Sequence, residues 1–427
     1  MLHPSRSHGL WDKTAPPAPS TESLAGDLAC DIVVIGGGYT GLSATLHLAE
    51  MGRSVMLLEA KDIGHGGAGR NVGLINAGMW VMPDDLPQAL GDVHGERLLT
   101  LLGDGPQQVM QLIDRYGIAC ELTRTGTLHC AVGDKGLAEI EARARQWQAR
   151  GADVEVLSRK DTVQRIGTEA YHGALLDRRA GTLQPLAYVR GLCDAALKAG
   201  ARIFTQTPAL AWQERKGRHI VSTGTGSVTA DWVIVATDAY STGPFEVVRQ
   251  EQVHLPYFNL ATQPLSDNIR GSILAGREGC WDTKDILSSF RMDAAGRLVF
   301  GSVGALRGSG TAIHRNWARR ALNRIFPQLG TIEFEAEWYG QIGMTSNALP
   351  RFHRFADRVV GFSGYNGRGI APGTVFGKVL ADHVAGKLGE ADLPLPLTPA
   401  EAQPFRAIKE AYYEAGAQIA HLAGDRF

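Results

Sequence analysis

The chain has no long apolar run, few cysteines and no surplus of charge of either sign. No stretch approaches the roughly 20 apolar residues that a helix needs to cross a bilayer, so no membrane span is expected. The five cysteines are Cys30, Cys120, Cys130, Cys193 and Cys280; their number is odd, their spacing wide, and no Cys-x-x-Cys pair occurs. That excludes the usual zinc sites and disulfide frameworks and fits reduced, buried thiols in a cytoplasmic protein. No histidine cluster has ligand spacing, so no metal is expected. Lys and Arg total 43 against 44 Asp and Glu, a net charge of −1. A nucleic-acid partner would normally call for a basic excess, and none is expected. Residues 1–28 are mostly polar and small, with Pro4, Pro16, Pro17 and Pro19. They lack the apolar core of a secretory signal and read as an N-terminal extension.

Glycine, by contrast, is abundant, at 52 of 427 residues, clustered at 36–38, 64–69 and 364–373. A chain of this length exceeds one ordinary core and suits two intertwined domains. Residues 31–35 form a short apolar run ending at Gly36, the pattern of a buried parallel strand. Residues 42–51 follow with helical spacing, closed by Gly52, and 54–59 repeat the strand pattern, completing a βαβ unit. Further on, 84–116 read as mostly helical, and 121–132 as a β-hairpin with Gly126 near its centre. Helices are predicted at 135–150 and 185–198. Strand-like pieces run through 202–236, of which 232–236 is continuous and apolar, and strands and turns through 253–304. An amphipathic helix is predicted at 315–326, stopped by Pro327. A buried strand at 359–362 precedes a helix at 374–388. Nucleotide-type βα units thus stand near both ends, with antiparallel material inserted between them.

Gly36-Gly37-Gly38-Tyr39-Thr40-Gly41 fits G-x-G-x-x-G in the right context, after a strand and opening a helix. Gly36 permits the tight turn, Gly38 a close approach to pyrophosphate, and Gly41 close packing of helix on strand. The helix N-terminus offers free N–H groups to phosphate. Glu59, ending the next strand, is placed to accept from ribose hydroxyls and would repel a 2′-phosphate. The local motif leaves FAD and NAD open. Three later segments favour a large planar ligand: GHGGAGRNVG at 64–73, WVIVAT at 232–237 and GFSGYNGRGI at 361–370.

In this order, these segments resemble the D-amino acid oxidase-like family of FAD enzymes, from about Leu10 to the C-terminus. The stretches GHGGAGRNVGLINAG (64–78), LLDRRAGTLQP (175–185), WDTKDILSSFR (281–291) and GYNGRG (364–369) most resemble a bacterial L-pipecolate and γ-glutamylputrescine oxidase subgroup. The resemblance implies an α/β fold (α+β overall). A discontinuous Rossmann-like FAD-binding domain (29–107, 160–250 and 345–427) would carry an inserted, mostly antiparallel substrate-binding domain (108–159 and 251–344). It implies that Gly36, Gly38, Tyr39, Thr40 and Gly41 hold the pyrophosphate and Glu59 the ribose. Arg70, Asn71, Val72, Gly73 and Leu74 would run beside the isoalloxazine, Ala236 and Thr237 near the adenosine, and Gly367, Arg368 and Gly369 at the pyrimidine edge. Some members bind FAD through a Cys in a segment resembling 339–350, which here has none, so the FAD is expected to be non-covalent. Sarcosine oxidases place a Lys near the flavin to help oxygen react. The matching strand here, 297–301, has Val299 or a neighbour at that place, which adds a dehydrogenase passing electrons to a quinone or carrier as an alternative to an oxidase.

The implied reaction is hydride loss from a carbon bearing a neutral amine nitrogen to the flavin, giving an imine. The best substrate is an L-pipecolate-type secondary amine; the alternative is γ-glutamylputrescine. A substrate carboxylate would need an Arg or hydroxyl donors, and the candidates are Arg291, Tyr257, Tyr365 and Arg368. Trp80 and Trp281 are candidate apolar walls for the substrate. The expected partners are the small amine or imino acid and oxygen or another electron acceptor.

Overall fold

The computed structural model describes residues 8–424. Its central layer is a seven-stranded sheet built around Ile32–Ile35, whose four residues are all buried. Apolar residues on both faces suit a strand covered on both sides. Ile32–Ile35 pairs in parallel with Val55–Leu58 and with Trp232–Val235. Arg202–Phe204 extends one edge; Val359–Ser363, Arg351–Ala356 and Leu397–Thr398 extend the other. Tyr39–Glu50 packs against Ile370–Val384 at close range, because small residues line the seam. A Cβ at Gly377 would come within 2.5 Å of the Ser43 Cβ and 2.6 Å of the Thr40 carbonyl.

The second large layer is an eight-stranded sheet in the order Phe334–Met344, Val253–Thr262, Leu298–Val303, Ser288–Met292, Gly279–Asp282, Thr127–Ala131, Gly173–Asp177, Val154–Leu157. All its pairs are antiparallel except Gly279–Asp282 with Thr127–Ala131. A four-stranded sheet, Gly26–Ala29, Gly226–Ala230, Arg218–Ser222 and Ala211–Arg215, accounts for much of the strand-like stretch at 202–236. The fold is the mixed α/β architecture expected from the sequence.

Several expectations need correction. Residues 121–132 do not form a hairpin: one strand, Thr127–Ala131, is buried along its whole length between Gly173–Asp177 and Gly279–Asp282. Its alternation of polar and apolar residues separates two interiors, not a core from solvent. Gly126 serves a close approach, since a Cβ there would lie 2.7 Å from the Asp177 carbonyl. Gly173–Asp177, within the 160–250 segment assigned above to the FAD portion, pairs into the eight-stranded sheet. Residues 84–116 divide into Asp85–Leu90, Asp92–Gly103 and Gly105–Tyr116. The helix placed at 315–326 spans Gly310–Ile325.

Both termini hold more structure than their composition suggests. The extension contains a short helix, Leu10–Thr14, with Leu10 and Trp11 wholly buried, and the strand Gly26–Ala29. A long helix, Arg406–Ala423, follows the nucleotide-type elements and packs on Val253–Thr262 and Gly310–Ile325, on the side of the eight-stranded sheet. Among the described residues, no helix is long and apolar enough to cross a membrane.

Candidate active site

The turn after Ile32–Ile35 is shaped by contacts that exclude side chains. Gly36 has φ +113°, and a Cβ there would sit 2.5 Å from the Ala236 carbonyl. A Cβ on Gly41 would sit 1.9 Å from the Gly36 carbonyl. At Gly38 the only neighbour within 4 Å is the Ala68 Cβ at 3.8 Å, so the backbone there is open to a ligand. Gly38 caps Tyr39–Glu50 with no side-chain hydrogen bond, leaving first-turn N–H groups free to meet phosphate oxygens. Glu59 accepts from the amides of Gly37 at 2.7 Å and Lys61 at 2.8 Å. Burial pushes its carboxyl above the usual range and these two amides pull it back. Each oxygen keeps a lone pair for a ribose hydroxyl. This cradle fits the adenine-dinucleotide half of FAD.

The loop at 64–73 is fixed from several sides. Asn71 donates to the carbonyls of Gly67 at 3.0 Å and Ala68 at 3.1 Å and accepts from the Gly73 amide at 2.9 Å. The Tyr39 hydroxyl donates to the Ala68 carbonyl at 2.6 Å. Arg70 is buried and donates through Nε to the His65 carbonyl at 2.7 Å. Its own carbonyl accepts from Asn259 at 3.0 Å and from the Trp338 indole at 2.9 Å. Trp11 donates to the Asn71 carbonyl at 2.9 Å and packs edge-on against Trp338. Leu74–Ile75 leaves the loop as a strand paired with Gly181–Thr182.

Of the four substrate-contact candidates, three are engaged elsewhere in the fold. Arg291 is buried, with Nε on the Val72 carbonyl at 2.7 Å, Nη2 on the Leu183 carbonyl at 2.8 Å and its guanidinium 5.0 Å from the Trp11 ring centre. It braces the loop from behind. The Tyr365 hydroxyl is paired with the hydroxyl of Thr40, which itself donates to the Gly373 carbonyl at 3.0 Å, tying the two glycine-rich turns together. Tyr257 is half-buried and hydrogen-bonded to Ser289 at 2.6 Å, reaching across Leu298–Val303, the strand that separates theirs in the eight-stranded sheet. Ala236 donates to the Ile35 carbonyl at 2.9 Å, and Thr237 donates to Ser241 at 2.9 Å. Val299 is wholly buried opposite Arg291.

Arg368 is different. It lies between Gly367 and Gly369, and Gly369 caps Ile370–Val384 without a side-chain bond. Its guanidinium sits 4.4 Å from the Trp80 ring centre and 4.5 Å from that of Trp281, two indoles meeting edge to face at 5.1 Å. One nitrogen reaches the Ala77 carbonyl at 3.4 Å, while Nε and Nη2 are buried without a partner. Burial, then repulsion from Arg143, lowers its pKa to about 9.

Around it lies a cavity of about 30 Å³ whose lining includes Asn76, His129, Arg143, Asp177, Trp281 and Arg368. That is room for a small polar group. His129 stacks on Trp281 at 3.4 Å and has an unpartnered Nδ1; burial and then Arg143 hold it neutral. Arg143 donates to the Met79 and Trp80 carbonyls, with Nε unpartnered. The one carboxylate of the lining, Asp177, is clamped by Arg179 through contacts of 2.9 and 2.7 Å. The cavity therefore has an excess of positive charge. Arg143 and His129 escaped sequence reading, because an Arg in a helix rich in Ala, Glu and Arg reads as a solvated face. Trp80 and Trp281, named as candidate walls, do meet here. Among the described residues, no group of three or more His, Cys, Asp or Glu side chains is arranged to hold a metal ion.

The cradle and this fold belong to a class of flavin enzymes. Residues 31–383 match the family model described as FAD dependent oxidoreductase (DAO), and the chain belongs to that family. It is an FAD-dependent oxidoreductase. It is 30% identical over 403 residues to gamma-glutamylputrescine oxidoreductase of Escherichia coli (strain K12), covering 92% of this chain and 94% of that one. It is 29% identical over 393 residues to the probable oxidoreductase OrdL of Rhizobium meliloti (strain 1021), covering 91% of each. Among solved structures, glycine oxidase from Geobacillus kaustophilus superposes with a TM-score of 0.70 at 19% identity, covering 87% of this chain and 99% of that one.

Proposed function

We propose that this enzyme oxidises the C–N bond of a small amine or imino acid that carries a carboxylate, with an L-pipecolate-type secondary amine as the leading substrate. The observation that carries this reading is the unpaired, buried guanidinium of Arg368 between Trp80 and Trp281, beside a cavity rich in cations. A buried cation without a counter-ion costs free energy. A substrate carboxylate would supply the missing acceptor through charge-assisted hydrogen bonds, while the indoles would pack methylene groups.

When bound, FAD supplies a hydride acceptor at N5 and an imine results. The chain's own part is positioning. Arg368 and Arg143 would hold the carboxylate, Trp80 and Trp281 would exclude water, and the excess of positive charge would favour a neutral amine. No protein base is needed in this scheme. Gly36, Gly38, Tyr39, Thr40 and Gly41 would hold the pyrophosphate and Glu59 the ribose. Residues 70–74, 236–237 and 367–369 would surround the rest of the cofactor, held without a covalent bond since 339–350 has no Cys.

A second substrate reading, γ-glutamylputrescine, is favoured by the likeness to the Escherichia coli oxidoreductase of that name; its γ-glutamyl group also carries a carboxylate. The buried aliphatic Val299, where a cation would assist oxygen, favours a dehydrogenase over an oxidase.

Anaerobic titration of the flavin band with L-pipecolate, γ-glutamylputrescine, proline, sarcosine and the uncharged ring amine piperidine tests the reading. Bleaching by one of the carboxylate-bearing amines and not by piperidine is expected. Equal bleaching by piperidine would remove the carboxylate requirement. Admitting air then separates the acceptors: rapid recovery with peroxide marks an oxidase, slow recovery a dehydrogenase.

A further inference from the structure

The helix Arg406–Ala423 is inverted. Its inward face carries the polar residues Glu410, Glu414 and His421. Glu414 is buried and accepts from the amides of Leu306 at 3.0 Å and Arg307 at 3.3 Å. His421 is buried, stacked at 4.0 Å on Trp317. Glu410 accepts from the His254 amide at 3.1 Å. Its outward face presents Ile408, Tyr412, Tyr413, Ile419 and Leu422, and Phe405 just before it, all between 43% and 76% exposed. Lys409 is the only charged residue among the exposed positions of this helix. A surface helix normally does the reverse.

At about 150–250 Å² for a large side chain, these exposures leave on the order of 700 Å² of contiguous apolar surface. That exceeds the patch of a typical monomer, roughly 300–600 Å², and approaches the roughly 800 Å² that each partner contributes to a standard interface. The pattern also matches itself. Ile408 and Leu422 stand seven residues either side of Ala415, with Tyr412 three before it and Ile419 four after. The stripe therefore repeats at the 4-3 spacing of paired helices. Small residues, Ala415 and Gly416, occupy its centre.

We infer that this helix is the homodimer interface of the enzyme, pairing antiparallel with the same helix of a second copy about a two-fold axis near Ala415. Such an axis sets Ile408 against Leu422 and brings Tyr412 within one residue of the position opposite Ile419, as a self-complementary two-fold interface requires. The small residues fall at the crossing, where the helices come closest. The near absence of charge favours an apolar protein partner over an anionic membrane, which selects helices with Lys or Arg flanking the apolar face.

The experiment is sedimentation equilibrium of the full-length FAD-loaded enzyme, with Ile419→Glu and Tyr412→Glu variants. A mass twice 45.9 kDa is expected for the natural protein, falling to one copy in either variant with the flavin band unchanged. Ala415→Cys gives an independent reading that does not require a disruptive substitution. The five native cysteines are buried, so mild oxidation should cross-link this variant and leave a Lys135→Cys control uncross-linked. A monomer at micromolar concentration, a dimer that Ile419→Glu leaves intact, or an Ala415→Cys protein that does not cross-link would each overturn the inference. So would a monomer that floats with phosphatidylethanolamine–phosphatidylglycerol vesicles, which would assign the face to lipid.

Discussion

Trp11 donates its indole N–H to the main-chain carbonyl of Asn71 at 2.9 Å, joining the start of the chain to the loop that carries Arg70 and Gly73. The same indole packs on Trp338 and lies under the Arg291 guanidinium. Trp11→Phe keeps most of the apolar contact and removes the donor. Leaving a buried carbonyl unsatisfied costs about 1–3 kcal/mol. The expected result is a lower melting temperature and faster loss of FAD on dilution, followed by flavin fluorescence.

Arg291 is a brace, and its loss should look structural. Arg291→Met abandons the Val72 and Leu183 carbonyls and, at about 1–3 kcal/mol for each buried carbonyl left unsatisfied, should destabilise the fold by roughly 2–6 kcal/mol. In protein that still folds, the KM ratio between a carboxylate-bearing amine and its uncharged analogue should stay the same. A selective rise in KM for the carboxylate substrate would return Arg291 to the substrate site.

Arg143→Gln should do what Arg291→Met does not. It removes one of two cations from the lining beside Arg368. The expectation is a KM raised roughly 10–100-fold for the acid substrate, with a smaller change in kcat and flavin content unchanged. Steady-state kinetics on paired acid and neutral substrates would show it.

Gly41→Ala should give protein without cofactor. The added Cβ would meet the Gly36 carbonyl at 1.9 Å, and only backbone movement of the glycine-rich turn relieves that. Absorbance of the purified variant should show little or no flavin.

The seam under the last helix should be sensitive to acid. His254 and His421 are each held down at about 4, and His314 well below its ordinary value, in every case first by burial. Arg249 and Arg406 oppose charging of His254, Arg320 that of His421, and His421 that of His314; Glu410 lies beside His254. A group whose folded pKa is depressed below its unfolded value of about 6.5 binds fewer protons when folded, so its contribution is complete above pH 6.5 and is lost as pH falls toward 4. Amide exchange of residues 406–423 should accelerate across that window, ahead of the seven-stranded sheet.

The fold was legible where a single local rule decides it. The apolar run before Gly36 and the G-x-G-x-x-G pattern specify strand and turn from short-range chemistry alone, and Glu59 closes onto that turn through the Gly37 amide. Thr127–Ala131 misled because its alternation reflects a strand buried on both sides, with His129 turned toward a polar cavity. Arg291 and Arg368 look alike in sequence. Only the tertiary contacts show that one is spent on carbonyls while the other keeps two nitrogens free. Arg143 gave no local signal, since what removes it from solvent is the packing of distant segments around Trp80 and Trp281.

The seven-stranded sheet draws its strands from residues 32–58, 202–204, 232–235, 351–363 and 397–398. A growing chain therefore cannot close this sheet when its first βαβ unit emerges; the partner of Trp232–Val235 on its far side is made more than a hundred residues later. Pairings this distant fold slowly. The dinucleotide turn must wait, its apolar strands open on one edge, until nearly the whole chain has left the ribosome. Cofactor capture is then a late event in biogenesis, and a truncated chain would expose sticky strand edges rather than settle into a smaller flavoprotein.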